Sequence, residues 1–188
     1  MFELEELLAE VPIISAIRND MDLKKVINCD IKIVFVLYGS LMEIQDICSK
    51  LKNAKKLIFI HVDMIDGLKH DAKGIEFIKK LVNPYGIITT KTACIKCAKS
   101  LGLYTILRVF ILDSQSLQTG INNIHTVTPH AVEVLPGVAS KIINIIKKDI
   151  DIPIIAGGLI NTKKDVIEAM SAGALAVSTS NEEVWKLG

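Results

Sequence analysis

Residues 152–180 read IPIIAGGLINTKKDVIEAMSAGALAVSTS, and their reading decides how the rest of the chain is taken. They run strand, glycine turn, helix, small-residue turn, strand and a second polar turn, which makes one βαβ unit. The run IPIIA shows no polar alternation, as a parallel strand covered on both faces requires. Gly157 and Gly158 leave the backbone after that strand bare. Asn161 or Thr162 can cap the next helix, and Asp165 follows Thr162 at capping-box spacing. Ser178, Thr179 and Ser180 then offer hydroxyls and N–H groups ahead of a short helical stretch.

Turns after the last two strands of an eight-stranded barrel are where that fold commonly binds phosphate. The expected ligand is a phosphate monoester held by Gly157, Gly158 and Leu159 on one turn and by Ser178, Thr179 and Ser180 on the next. Gly137, in the Pro136-Gly137 turn one strand earlier, joins this set. A tight turn or a helix cap would account for either group singly; one βαβ unit apart, the two together favour a ligand.

The same alternation extends back through the chain. Apolar runs at 12–17, 33–38, 57–63, 86–90, 103–110 and 131–135 predict six earlier strands. Between them, helical periods are expected at 20–26, 41–51, 71–82, 92–101, 114–124 and 140–148, and residues 1–10 suggest an amphipathic helix plugging the bottom. Eight strand–helix pairs predict a compact (β/α)8 TIM barrel, a single domain over 1–188, with short loops and a trimmed last helix at 181–187. An open doubly wound sheet would want its glycine-rich turn after the first strand, and PIISAIRND has none.

The totals narrow the function classes. Lys+Arg 22 against Asp+Glu 21 gives a net charge of +1, without a strongly basic nucleic-acid footprint. No apolar run reaches membrane-spanning length, and the opening MFELEELLAE is acidic where a signal peptide is basic, so a cytoplasmic protein without a membrane partner is expected. Cys94 and Cys97 have metal or redox spacing but no second pair or His partner, and read as one face of a helix; no metal or cofactor is expected.

A charged residue near the carboxyl end of an apolar strand either faces the barrel mouth or spoils the core. His61 and Asp63 end the third strand, Lys91 follows the fourth, Arg108 lies in the fifth, Glu133 in the sixth and Ser15 in the first. Lys91 and Arg108 would balance charge while Asp63 and Glu133 accept from hydroxyls, so the set describes a pocket for a small phosphorylated polyol. The competing arrangement pairs Arg108 with Glu133 and Lys91 with Asp63 as structural ion pairs.

Two enzyme readings compete with a binding role. His61-Val-Asp63-Met-Ile-Asp66-Gly67 resembles the H-x-D-x-M-D-G motif of ribulose-phosphate 3-epimerases, but Ala156 precedes the glycine pair where those enzymes carry their second acid/base. A Schiff-base aldolase using Lys91 would need that lysine's pKa lowered, and neighbouring carboxylates act the other way.

The pieces HVDMIDGL (61–68), GIITTK (86–91), LRVFILDS (107–114), VEVLPG (132–137), IPIIAGGLI (152–160) and AGALAVSTS (172–180), with Trp185 near the end, run across nearly the whole chain. In this order they resemble the glycerol uptake operon antiterminator regulatory protein family of bacteria. The resemblance implies a (β/α)8 fold without chemistry and glycerol 3-phosphate as regulatory ligand. It also implies a leader mRNA of glycerol-utilisation genes as the partner on which the liganded protein prevents termination. Pro129-His130 departs from the family's usual Pro-Asp, at the bottom of the sixth strand.

The residues themselves do not reach RNA. Aromatic residues make up 5% of the chain, and the lysine pairs 24–25, 55–56, 79–80, 147–148 and 163–164 read as solvated helix faces. With a single subunit nearly neutral, an RNA patch is expected to be assembled across a homodimer.

Overall fold

The computed structural model describes residues 4–187. Eight parallel strands close into a barrel in sequence order, the last pairing with the first. They are β1 (Ile13–Ile17), β2 (Ile33–Val36), β3 (Leu57–His61), β4 (Gly86–Thr89), β5 (Tyr104–Phe110), β6 (Ala131–Leu135), β7 (Ile154–Gly157) and β8 (Ala176–Thr179). Helix α1 (Leu4–Glu10) precedes β1. The outer ring is α2 (Asp20–Ile27), α3 (Ile44–Asn53), α4 (Ala72–Leu81), α5 (Thr92–Ser100), α6 (Ser114–Val127), α7 (Ser140–Asp149), α8 (Lys163–Ser171) and the four-residue α9 (Glu182–Trp185). Residues 1–3 of the expected first helix lie outside the described residues.

Helices α2, α4, α6 and α8 begin where the sequence supplies a side-chain cap. Asn19 accepts from the Asp22 N–H, and Asp71 from that of Gly74. Asp113 with Ser116, and Thr162 with Asp165, form reciprocal capping boxes. Trp185 holds α9 against the barrel by donating its indole N–H to the Thr179 carbonyl at 2.8 Å.

Strand parity divides the core in two. Residues such as Ile13, Ile17, Val34, Val36, Ile58 and Ile60 pack outward against the helices. Ile14, Ala16, Ile33, Phe35, Phe59 and Ile155 point inward and meet Leu4, Leu7 and Leu8 of α1, which close the bottom. The inward positions one step higher are polar: His61, Arg108, Glu133 and Ser178 are all buried. The barrel is therefore filled with hydrocarbon below and with a hydrogen-bonding layer beneath its carboxyl-terminal mouth.

Parity also corrects two expected placements. Ser15 shares the outward set with Ile13 and Ile17, and its hydroxyl donates to the Ile33 carbonyl at 3.4 Å, so it does not reach the mouth. The third strand stops at His61, and Val62–Met64 turn as a 3-10 helix, so Asp63 does not share the His61 face by strand alternation.

Candidate functional site: the carboxyl-terminal mouth

The floor of the mouth is a buried network. Arg108 and Glu133 are cross-strand partners on β5 and β6, and Arg108 Nε donates to Glu133 Oε2 at 2.5 Å, with side chains 7% and 1% exposed. Ser178 Oγ donates to the other carboxylate oxygen at 2.5 Å. Gly157 stands beside it because a Cβ there would lie 2.5 Å from Glu133 Oε1 and 2.8 Å from Ser178 Oγ. Its missing side chain makes room for the network rather than for a ligand. Buried ion pairs of this kind are costly to break, since the surviving charge keeps no partner.

His61 completes the floor. It is 3% exposed, and its Nδ1 is a buried polar atom without a hydrogen-bond partner among the described residues. Burial, and then the positive charge of Arg108, push its pKa down to about 4, so the ring is neutral at pH 7.

Above this floor lies a cavity of about 190 Å³ that reaches from Arg18 and Leu37 to the turns after β7 and β8. Gly158 (φ 77°) and Leu159 (φ 62°) are both left-handed, and the Leu159 side chain is 66% exposed. A leucine held in that region is strained by the contact of its Cβ with the carbonyl. The N–H groups of Gly158, Leu159 and Ser180 have no partner among the described residues. Asn181 Nδ2 donates to the Asn161 carbonyl at 3.1 Å and ties the two turns together.

Arg18 supplies the charge. It follows Ile14 and Ala16 in the inward parity of β1, lines the cavity and is exposed. Its backbone N–H bonds Asp22 at 2.8 Å, while its guanidinium has no partner among the described residues. Arg108 and Glu133 offset one another and His61 is neutral, so Arg18 gives the cavity its positive balance.

The remaining expected residues are engaged elsewhere. The Gly137 N–H donates to the carbonyls of Gly157 (2.5 Å) and Gly158 (3.1 Å), so it stiffens the β7 turn and offers nothing to an anion. The Thr179 hydroxyl donates to the Ile160 carbonyl at 2.6 Å and accepts from the Asn181 N–H. Asp63 accepts from the Thr89 hydroxyl (2.8 Å), the Thr90 N–H (2.7 Å) and the Thr90 hydroxyl (2.8 Å). Burial works to raise its carboxyl pKa, but these bonds together outweigh burial and hold it below the ordinary carboxylate range. Lys91 is exposed and meets His70 Nδ1 at 2.8 Å, and it makes no ion pair with Asp63. Lys56, expected on a solvated face, instead donates to the Cys29 and Ile31 carbonyls.

Comparison with known proteins fits this geometry. Residues 13–185 match the model of a family described as "Glycerol-3-phosphate responsive antiterminator". The chain belongs to that family. A glycerol uptake operon antiterminator regulatory protein from Listeria monocytogenes is 32% identical, with a TM-score of 0.90 over 93% of this chain and 94% of that one. An antiterminator-related protein from Thermotoga maritima is also 32% identical, with a TM-score of 0.82 over 93% and 97%. The uncharacterised Escherichia coli protein YgcP is 36% identical over 98% of this chain and 96% of its own length. Within this antiterminator family the mouth just described is the candidate ligand site.

Proposed function

We propose that the protein binds glycerol 3-phosphate in the carboxyl-terminal mouth, performs no reaction on it, and in the liganded form acts in the cytoplasm on the leader transcript of glycerol-utilisation genes to prevent termination. The observation that carries the ligand is the convergence of three unpaired N–H groups, on Gly158, Leu159 and Ser180, with the unpaired Arg18 guanidinium on one small cavity. Main-chain donors and a cation at a barrel rim are the chemistry a phosphate dianion needs. The glycerol moiety would lie over the floor, where the guanidinium edge of Arg108, which lines the cavity, can donate to a hydroxyl.

Two features of the mouth support the reading without chemistry. The position before Gly157 is Ala156, so no second acid/base stands there to complete an epimerase pair. Lys91 sits exposed at the α5 N-terminus against His70, away from the buried setting that activates a Schiff-base lysine. The regulatory role comes from the antiterminator family.

Calorimetric titration of the full chain with glycerol 3-phosphate tests the ligand. Binding at a single site, weakened by Arg18→Ala, supports the reading, and no heat at millimolar ligand contradicts it. Titration of a labelled leader RNA with and without glycerol 3-phosphate tests the switch. The ligand should tighten RNA binding, and by linkage RNA should tighten the ligand by the same factor. An RNA affinity unmoved by ligand contradicts the switch.

A further inference from the structure

The net charge of +1 hides an asymmetry along the chain. Residues 77–132 hold six of the 22 cations (Lys79, Lys80, Lys91, Lys96, Lys99 and Arg108) and one of the 21 acids, Asp113. That segment is +5, and the remainder is −4. It folds as the end of α4, then β4, α5, β5 and α6, and α5 packs between α4 and α6. Arg108 is buried and balanced by Glu133 on β6, and the five lysines against Asp113 still leave this flank a surplus of four positive charges within a single subunit.

On this flank a groove of about 450 Å³ runs down the side of β5 beneath α6. Gln115, Thr119 and Asn123, spaced four apart, line it from one face of α6, and their side chains have no partner among the described residues. Phe110, 50% exposed, stands at its head. Asp113, the acid beside it, is engaged as the α6 cap through the Ser116 N–H at 2.7 Å. Lys99 clamps α5 to the end of α6 by donating to the Val127 and Thr128 carbonyls at 3.2 and 2.7 Å. Lys96, three residues earlier on α5, is exposed and unpaired among the described residues.

Neutral amides and hydroxyls in a row, a bare aromatic face and flanking lysines suit one chemistry: unstacked RNA bases whose edges are read by hydrogen bonds, with their phosphates outside. The surplus of cations over acids on this flank favours a polyanion as its occupant. Arg108 lines this groove and also the mouth, where its Nε is held by Glu133. Arg108 is thus the one residue, among those described, that lines both cavities.

We propose that the α5–α6 flank is the RNA-docking surface of each subunit. Gln115, Thr119 and Asn123 contact bases, Phe110 stacks on one, Lys96 meets phosphate, and Arg108 couples the groove to the ligand. This rests on the antitermination reading above and replaces the expectation of a patch assembled across a dimer.

The test measures dissociation constants of the full chain for labelled leader RNA, with saturating glycerol 3-phosphate, across a salt series. Phe110→Ala and the double variant Gln115→Ala/Asn123→Ala should each weaken RNA binding about tenfold. Lys96→Ala should reduce the salt slope by about one, while Lys147→Ala on α7 should leave binding unchanged. Melting temperature and glycerol 3-phosphate affinity without RNA should stay at wild-type values in all four. Groove variants that bind RNA as the wild type does, or that lose ligand affinity or fold in parallel with RNA, overturn the docking surface while the antitermination reading stands. A wild-type chain that fails to bind leader RNA overturns both.

Discussion

The mouth has two polar sides, and they differ in what their groups are already bonded to. On the β3–β4 side Asp63 is filled by three bonds from Thr89 and Thr90, and Lys91 meets His70. On the β7–β8 side the N–H groups of Gly158, Leu159 and Ser180 and the Arg18 guanidinium have no partner among the described residues, and Leu159 is held left-handed. One side is a finished structural joint and the other an unfinished donor set. Charge at a strand end thus marks a binding surface only where the fold leaves that charge unsatisfied.

The buried floor beneath both sides gives the largest expected effect. Glu133→Ala strands the Arg108 cation at 7% exposure and should cost about 3–5 kcal/mol in urea denaturation. Glu133→Gln keeps an acceptor for Ser178 and should cost less. A Glu133→Ala protein as stable as the wild type would remove the floor from the account.

The two sides are separated next by ligand affinity. Removing the charge-assisted bonds of Arg18 should cost about 1.5–3 kcal/mol of binding, roughly 10- to 150-fold, with stability within about 0.5 kcal/mol. Lys91→Ala should change affinity by less than about twofold. If Lys91→Ala proved the more damaging, the two sides would have been read the wrong way round.

His61 gives a pH signature. Its folded pKa, about 4, lies below the unfolded value of about 6.5, so between these values the unfolded chain binds the extra proton. Stability from this residue is present above pH 6.5 and is lost as the pH falls towards 4, at up to about 1.4 kcal/mol per pH unit. Denaturation curves from pH 7 to 4 should show that fall, and His61→Asn should flatten it. An equal slope in both proteins would mean the imidazole is not held neutral by the barrel.

The smallest expected effect is at the strained turn. Leu159→Gly relieves a left-handed leucine at the cost of a freer unfolded chain, and should stabilise by up to about 1 kcal/mol in thermal melts. Destabilisation would mean the leucine side chain holds the turn by contacts that outweigh its backbone strain.

Much of the fold could be read in advance because its signals are local. Apolar runs of strand length alternate with helical periods, and Asn19, Asp71, Asp113 and Thr162 sit where caps are needed, so the barrel order followed from the residues alone. The site was legible in part. Arg108 and Glu133 stood out as charges inside apolar strands. Ser15 was misplaced because IISAI carries no alternation to show which face is inward. Asp63 was misplaced because the strand yields to a 3-10 turn after His61. Arg18 falls one residue beyond the predicted first strand, 12–17, although Ile14, Ala16 and Arg18 keep one parity. The charge asymmetry of residues 77–132 was lost in a whole-chain total, and the partners of Gly137 and Thr179 are tertiary contacts that local sequence does not encode.

The most direct test of the central claim is a crystal structure of the full chain with glycerol 3-phosphate. The account predicts phosphate oxygens about 2.9 Å from the N–H groups of Gly158, Leu159 and Ser180, with the Arg18 guanidinium against them. A phosphate found beside Asp63 and Lys91, or outside the barrel mouth altogether, would contradict it.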